Sequence, residues 1–187
     1  MNKKQIKYKK KLHNKKAVLW LTGLPSSGKS TIADRLFEIL SKGGLKVQRL
    51  DGDIFRNYFG NNLGFNKADR DFNIKTAAFI SSILEKHKIL VIASFITPYS
   101  HQRDIVRNIS GSFIEIFINA SLDTCIKRDA KGLYKKAIAG EIRNFTGISD
   151  PYEIPENPHL TINTEELNIE ESVDKIIKYL LDNKHIY

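Results

Sequence analysis

Residues Gly23-Leu24-Pro25-Ser26-Ser27-Gly28-Lys29-Ser30 fit the pattern G-x-x-x-x-G-K-[ST] without a mismatch. They follow an apolar β-type run, Val18–Thr22, and open a helical pattern, Ser30–Leu40, the setting in which this pattern forms a phosphate loop. The residue types have chemical reasons. Gly23 and Gly28 permit backbone conformations that aim successive N–H groups at phosphate oxygens, and the positive end of the following helix adds to that field. Ser26, Ser27, Gly28 and Thr31 are candidate nucleotide contacts. Lys29 supplies a mobile charge for the β- and γ-phosphates, and Ser30 offers a hydroxyl to Mg²⁺. A nucleoside triphosphate is the expected ligand.

Outward from the loop, short apolar runs alternate with helical patterns. The runs are Ala17–Thr22, Lys46–Leu50, Ile89–Ser94, Phe113–Asn119 and Leu160–Ile162. The middle ones are almost continuously apolar, as strands covered on both faces of a parallel sheet must be. Helical spacing marks Ile32–Leu40, Asp69–Lys86 and Ser100–Ile109, and places Ile169, Val173, Ile176, Ile177, Leu180 and Leu181 on one face. Gly43-Gly44 closes the first helix. The expected fold is α/β, a three-layer doubly wound domain with a mainly parallel five-stranded sheet over residues 17–187. Two stretches, 52–67 and 131–158, break the alternation and read as functional loops at the ligand edge of the sheet.

The 187 residues carry a formal charge of +9, and its location decides its meaning. Residues 1–16 hold eight lysines and no acid; taking those from the 30 basic residues leaves 22 against 21 acidic ones. The excess belongs to a lysine-rich N-terminal segment, expected to be a flexible solvated arm, with contact to nucleic acid or another polyanion the minor reading. One cysteine excludes an internal disulfide framework and multi-cysteine zinc sites. No apolar run is long enough to cross a bilayer, and the first sixteen residues lack the apolar stretch of a signal peptide, so the cytoplasm is the expected location.

A phosphate loop alone does not separate kinases from other nucleotide hydrolases. The third run ends Ile92-Ala93-Ser94, without the usual acid, whereas the second runs into Asp51-Gly52-Asp53. Carboxylates at that strand end stand where Mg²⁺ and an acceptor hydroxyl must be handled. With the small size of the chain and a basic candidate lid, they favour a small-molecule kinase.

Further motifs give the chain a specific likeness. Leu50-Asp51-Gly52-Asp53 is followed by Arg56, then Leu63-Gly64-Phe65, Asp69-Arg70 and Asn73. Phe95-Ile96-Thr97-Pro98-Tyr99, Arg103-Asp104, Arg128-Asp129-Ala130-Lys131-Gly132-Leu133-Tyr134, Asn144-Phe145-Thr146-Gly147 and Pro155-Glu156-Asn157-Pro158 come next. From about Ala17 to about Asn163 the chain resembles the adenylyl-sulfate kinase family of P-loop kinases. That resemblance implies transfer of the γ-phosphoryl group of ATP, with Mg²⁺, to the 3′-hydroxyl of adenosine 5′-phosphosulfate. It implies that Asp53 meets the acceptor hydroxyl and joins Ser30 at the metal, with Lys29 and Lys131 as the other catalytic groups. Arg56, Arg70 and Asn73 would hold the anionic side of the acceptor, and Phe65 and Phe145 would clamp its base near Ile96 and Thr97. Arg128 would lie against the ATP adenine, and a mobile lid would span roughly residues 131–147. A homodimer is the expected assembly.

The sequence departs from the family at three places. Thr97 stands where a serine is usual, Ile54 replaces an asparagine, and Asn57-Tyr58-Phe59-Gly60 is bulkier than the usual small-residue run. Two other readings accompany the first: a sibling kinase acting on the 3′-hydroxyl of cytidine diphosphoramidate, and an ATP-gated module that binds a polyanion through its lysine-rich segment.

Overall fold

The computed structural model describes residues 15–59 and 66–187, with the backbone alone at Phe59. The first half runs β1 (Ala17–Thr22), α1 (Lys29–Lys42), β2 (Val47–Asp51), α2 (Gly52–Phe59), α3 (Lys67–Lys86) and β3 (Leu90–Ser94). The second runs α4 (Ser100–Ile109), β4 (Phe113–Asn119), α5 (Leu122–Arg128), α6 (Leu133–Ile138), β5 (Leu160–Asn163) and α7 (Ile169–Asp182). The five strands form one parallel sheet in the order β2-β3-β1-β4-β5.

The alternation of side chains along β1 explains the three layers. Ala17, Leu19 and Leu21 join Ile32, Leu36 and Leu40 of α1 and Val173, Ile176 and Leu180 of α7 in one core. Val18 and Trp20 point the other way, into a core with Ile74, Ala77 and Ala78 of α3 and Val106 of α4. Every residue of β1 and β3 is buried, so an apolar side chain is favourable on both faces of each. Chain order places β3 on one side of β1 and β4 on the other. The crevice beyond the carboxyl end of β1 is therefore the switch point where α/β sheets bind ligands, and the phosphate loop starts there.

Two helices lie where the sequence reads as loop. The first is α2: Gly, Asn and Tyr mask its helical preference, but Phe55 buries itself edge-on against Phe95, with ring centroids 5.7 Å apart. At its start a Cβ on Gly52 would lie 3.1 Å from the Phe95 ring, so the junction with β2 packs tightly against that ring. The other is α6, which makes the expected lid partly helical. The Asp129 carboxylate accepts hydrogen bonds from the N–H groups of Tyr134 and Lys135, and Gly132 takes a left-handed φ of 66° before α6. The lysine-rich segment falls on residues 1–16, of which 1–14 lie outside the described residues; the Lys15 N–H donates to the His185 carbonyl at 2.8 Å.

Candidate active site

Local backbone geometry shapes the phosphate loop. Gly23 has φ 154°, and a Cβ there would sit 2.4 Å from the Ile118 carbonyl oxygen, so only glycine fits against β4. Gly28 has φ 102° and caps α1, and Ser26 also has a positive φ of 59°. Lys29 is folded back: its Nζ donates to the Leu24 carbonyl at 2.6 Å and lies 3.4 Å from Ser27 Oγ. Burial pulls the Lys29 ammonium down to about 8. A cation so poorly solvated gains strongly from an arriving phosphate. Ser27 is buried, and Thr31 is exposed on the first turn of α1.

Ser30 finds its carboxylate in Asp51, not in Asp53. Ser30 Oγ donates to Asp51 Oδ2 at 2.8 Å, as does Ser94 Oγ, while Arg49 Nη2 lies 2.9 Å from the same oxygen. Burial pushes the Asp51 carboxyl up, but these hydrogen bonds, the Asp53 N–H and the Arg49 charge together hold it below the usual range. Asp53 stands two residues on, exposed in the first turn of α2, and its carboxylate accepts a hydrogen bond from Lys131. A hydroxyl and two carboxylates at this strand end are hard oxygen donors of the kind Mg²⁺ takes alongside substrate phosphates. The sequence offered both aspartates; only the sheet tells which one meets Ser30.

Across the crevice, α2 and α3 present the residues expected to take the acceptor. Arg56 is half-buried on α2; burial first, and then repulsion from Arg70, push its guanidinium down. Two guanidinium groups close enough to repel favour an anion nearby. Arg70 on α3 donates to the Thr146 hydroxyl and the Asn144 carbonyl, and lies 3.7 Å from Asp150, so it is tied to the end of the candidate lid. One turn further, Asn73 is 7% exposed, and its amide oxygen has no hydrogen-bond partner among the described residues. A buried acceptor left unmade is costly unless a ligand supplies the donor.

Other expected positions sit differently from a simple open clamp. Phe145 is 3% exposed and packs edge-on to Tyr134, with centroids 5.0 Å apart, in a small core with Cys125 and Ala137. Its expected partner Phe65 lies outside the described residues. Ile96 is half-buried, and its carbonyl accepts the Thr22 hydroxyl at 2.7 Å. The Thr97 hydroxyl, expected to face the acceptor, instead receives the Trp20 indole N–H at 2.8 Å in a site 1% exposed. The shift follows from β1, which turns Trp20 toward this loop.

Arg128 ends α5 and donates to Thr164 Oγ1 at 2.9 Å and to the Thr164 carbonyl at 2.7 Å, with Ser27 O 3.4 Å away. Thr164 Oγ1 donates in turn to Ser27 O at 2.9 Å. Sequence reasoning misses Thr164, which follows β5 with no motif of its own. It also passes over Asn66-Lys67-Ala68-Asp69, which spells the N-K-x-D pattern that reads guanine in GTPases. Here those residues start a helix: Asn66 caps α3 by accepting from the Asp69 N–H at 2.9 Å, and its amide N–H₂ donates to the Asp69 carboxylate.

A parallel sheet in this order, a phosphate loop at its switch point and carboxylates at the end of the neighbouring β2–β3 edge define a P-loop kinase. The family model for adenylylsulphate kinase matches residues 15–163. A probable adenylyl-sulfate kinase of Pseudomonas aeruginosa is 52% identical over 161 residues, covering 86% of this chain and 75% of its own. The adenylyl-sulfate kinase of Halothermothrix orenii is 48% identical over 176 residues, 94% of this chain and 95% of that one. The Mycobacterium tuberculosis APS kinase solved with AMPPNP and APS superposes with a TM-score of 0.85 at 36% identity, over 90% of this chain and 99% of its own. The chain belongs to the adenylylsulphate kinase family.

Proposed function

We infer that the chain is an adenylyl-sulfate kinase, transferring the γ-phosphoryl group of ATP to the 3′-hydroxyl of adenosine 5′-phosphosulfate. Family membership across most of the chain supports this reading. The observation in the fold that carries it is the trio Arg56, Arg70 and Asn73. It gathers two cations, one of them interacting with Asp53, and a buried amide oxygen with no hydrogen-bond partner among the described residues, as an anionic nucleotide with free hydroxyls requires.

In the reaction, the acceptor oxygen bonds to the γ-phosphorus as the bond to the β–γ bridging oxygen breaks, leaving ADP. The phosphate-loop N–H groups and Lys29 hold the phosphoryl oxygens, and Asp53 orients the acceptor hydroxyl and takes up its proton as the bond forms. Lys131 neutralises charge on the side facing α2, and Arg128 closes the rim of the nucleotide site. Mg²⁺, when bound with ATP, would be held at Ser30 and the Asp51 and Asp53 carboxylates, and would draw charge from the β- and γ-phosphates. Segment 131–147 serves as a lid that keeps water from accepting the phosphoryl group. Ile96 and Phe145 shape the acceptor side.

Among the described residues no helix is long and apolar enough to cross a membrane. A cytoplasmic location is part of the proposal, as the reading that suits a kinase drawing on ATP. A homodimer is part of the proposal; Phe72, Phe79 and Ile83 form an exposed apolar row on α3 that a second copy could cover. The test is steady-state ADP formation with adenylyl sulfate, with cytidine diphosphoramidate and without acceptor. A clear preference for adenylyl sulfate with a 3′-phosphorylated product is expected. Preference for the cytidine compound would overturn the assignment and direct attention to Ile54 and Tyr58.

A further inference from the structure

The loop that follows β3 is strained. Thr97 is β-branched yet has φ 46°, in the left-handed region that such residues rarely enter. Strain of this kind persists only where the surroundings over-determine it. Two donors from one neighbourhood of the sheet converge on the residue. Trp20 Nε1 donates to Thr97 Oγ1, and Arg103 Nη1 donates to the Thr97 carbonyl at 3.1 Å. The flanks are tied as well: Phe95 stacks on Trp20 with centroids 4.8 Å apart, and the Pro98 carbonyl accepts the Glu153 N–H at 2.8 Å.

Arg103 is itself held from below. Its Nε lies 3.1 Å from Oε1 of Glu115, whose other oxygen accepts Arg107 Nη2 at 2.9 Å. Glu115 is 1% exposed and is paired in register with Trp20 on the adjacent strand. Oε1 is within ion-pair distance of Arg103 but lacks an aligned hydrogen bond among the described residues, and burial pushes the carboxyl up despite both arginines. Around it this sheet face is largely apolar, with Val18, Trp20, Val91 and Ala93 packed there. A buried ion pair in such a setting stabilises a fold weakly, because desolvation offsets most of the attraction. Its geometric consequence is clear: the Arg103 fork stays aimed at one carbonyl.

We infer that Glu115 and Arg103, neither of them placed in the crevice, are positioning residues for the acceptor loop, fixing Ile96-Thr97-Pro98 through the Thr97 carbonyl. This rests on the proposed function, which gives the loop to the acceptor and not to ATP.

The test is Glu115→Gln, which removes the charge and keeps the shape, with Arg103→Lys as a second variant that keeps the charge and loses the fork. Each is assayed for KM of adenylyl sulfate, KM of ATP, kcat and thermal midpoint. Acceptor KM should rise about tenfold while ATP KM stays within about twofold. Adding Thr97→Gly should recover part of that loss, because glycine enters positive φ without being held there, so the two substitutions should be less than additive. Acceptor and ATP KM rising together with a falling midpoint, or strict additivity with Thr97→Gly, would overturn the inference. If Glu115→Gln does not fold, Arg103→Lys decides by the same readouts. An active wild type with unchanged acceptor KM in the variants sinks this inference alone. A wild type inert toward adenylyl sulfate sinks the acceptor assignment and the inference with it.

Discussion

The two halves of the crevice are held in different ways. On the donor side, the phosphate loop is fixed by backbone: Gly23 against the Ile118 carbonyl, Gly28 capping α1, and Lys29 folded onto Leu24 O. On the side proposed for the acceptor the fixed points are side chains from distant segments, with Arg70 on Thr146 and Asn144 and Lys131 on Asp53. The backbone cradle is set by local φ values and close packing. Side-chain pairs spanning 70 or more positions must be broken or rearranged to admit a ligand. The difference suits an enzyme whose donor is common to many kinases and whose acceptor sets its identity.

Lys29→Ala is the most severe test of the donor half. If the cradle is preformed and the lysine supplies charge to the γ-phosphoryl, turnover should fall at least about a hundredfold while the protein still unfolds cooperatively. Rates within about tenfold of wild type, measured by ADP release, would break the contrast, because the loop would then be working without its cation. Phe145→Ala probes the other half. Its ring is almost fully buried, so truncation should cost about 3 kcal/mol of stability in denaturant unfolding. Acceptor KM should also rise more than ATP KM. Equal rises would instead assign the ring to the donor side, through Tyr134, whose hydroxyl donates to the Pro25 carbonyl at 3.1 Å.

That contrast also governs what can be read from the chain. The phosphate loop is eight contiguous residues, and β1 and β3 are unbroken apolar runs, so local composition is enough for them. The choice between Asp51 and Asp53 is not local. It depends on β2 pairing in register with β3, which brings Asp51 beside Ser94. Helix α2 is hidden because its anchor, Phe55 on Phe95, spans forty positions, and tertiary burial overrides weak helix propensity. The family motifs named Phe145 and Thr97 as substrate contacts, but motif spacing does not say which way a side chain turns. In the fold both turn inward, one onto Tyr134 and the other onto Trp20.

The smallest expected effect concerns the pair that crosses the crevice. Lys131 and Asp53 are 58% and 61% exposed, so water screens their attraction and ordering two long side chains opposes it. A double-mutant cycle of Lys131→Met with Asp53→Asn in thermal unfolding should give a coupling below about 1 kcal/mol, shrinking as salt is added. A pair that weak opens readily, and in the proposed reaction that would let an acceptor hydroxyl reach Asp53 and a phosphoryl oxygen reach Lys131 without cost to the fold. Each single substitution should nevertheless lower kcat far more than it lowers the midpoint. A coupling of several kcal/mol that ignores salt would mean that the pair is a fixed strut. The side proposed for the acceptor would then be as rigid as the phosphate loop, and the lid proposed over residues 131–147 would have to open at some other contact, with Arg70 on Thr146 the first to examine.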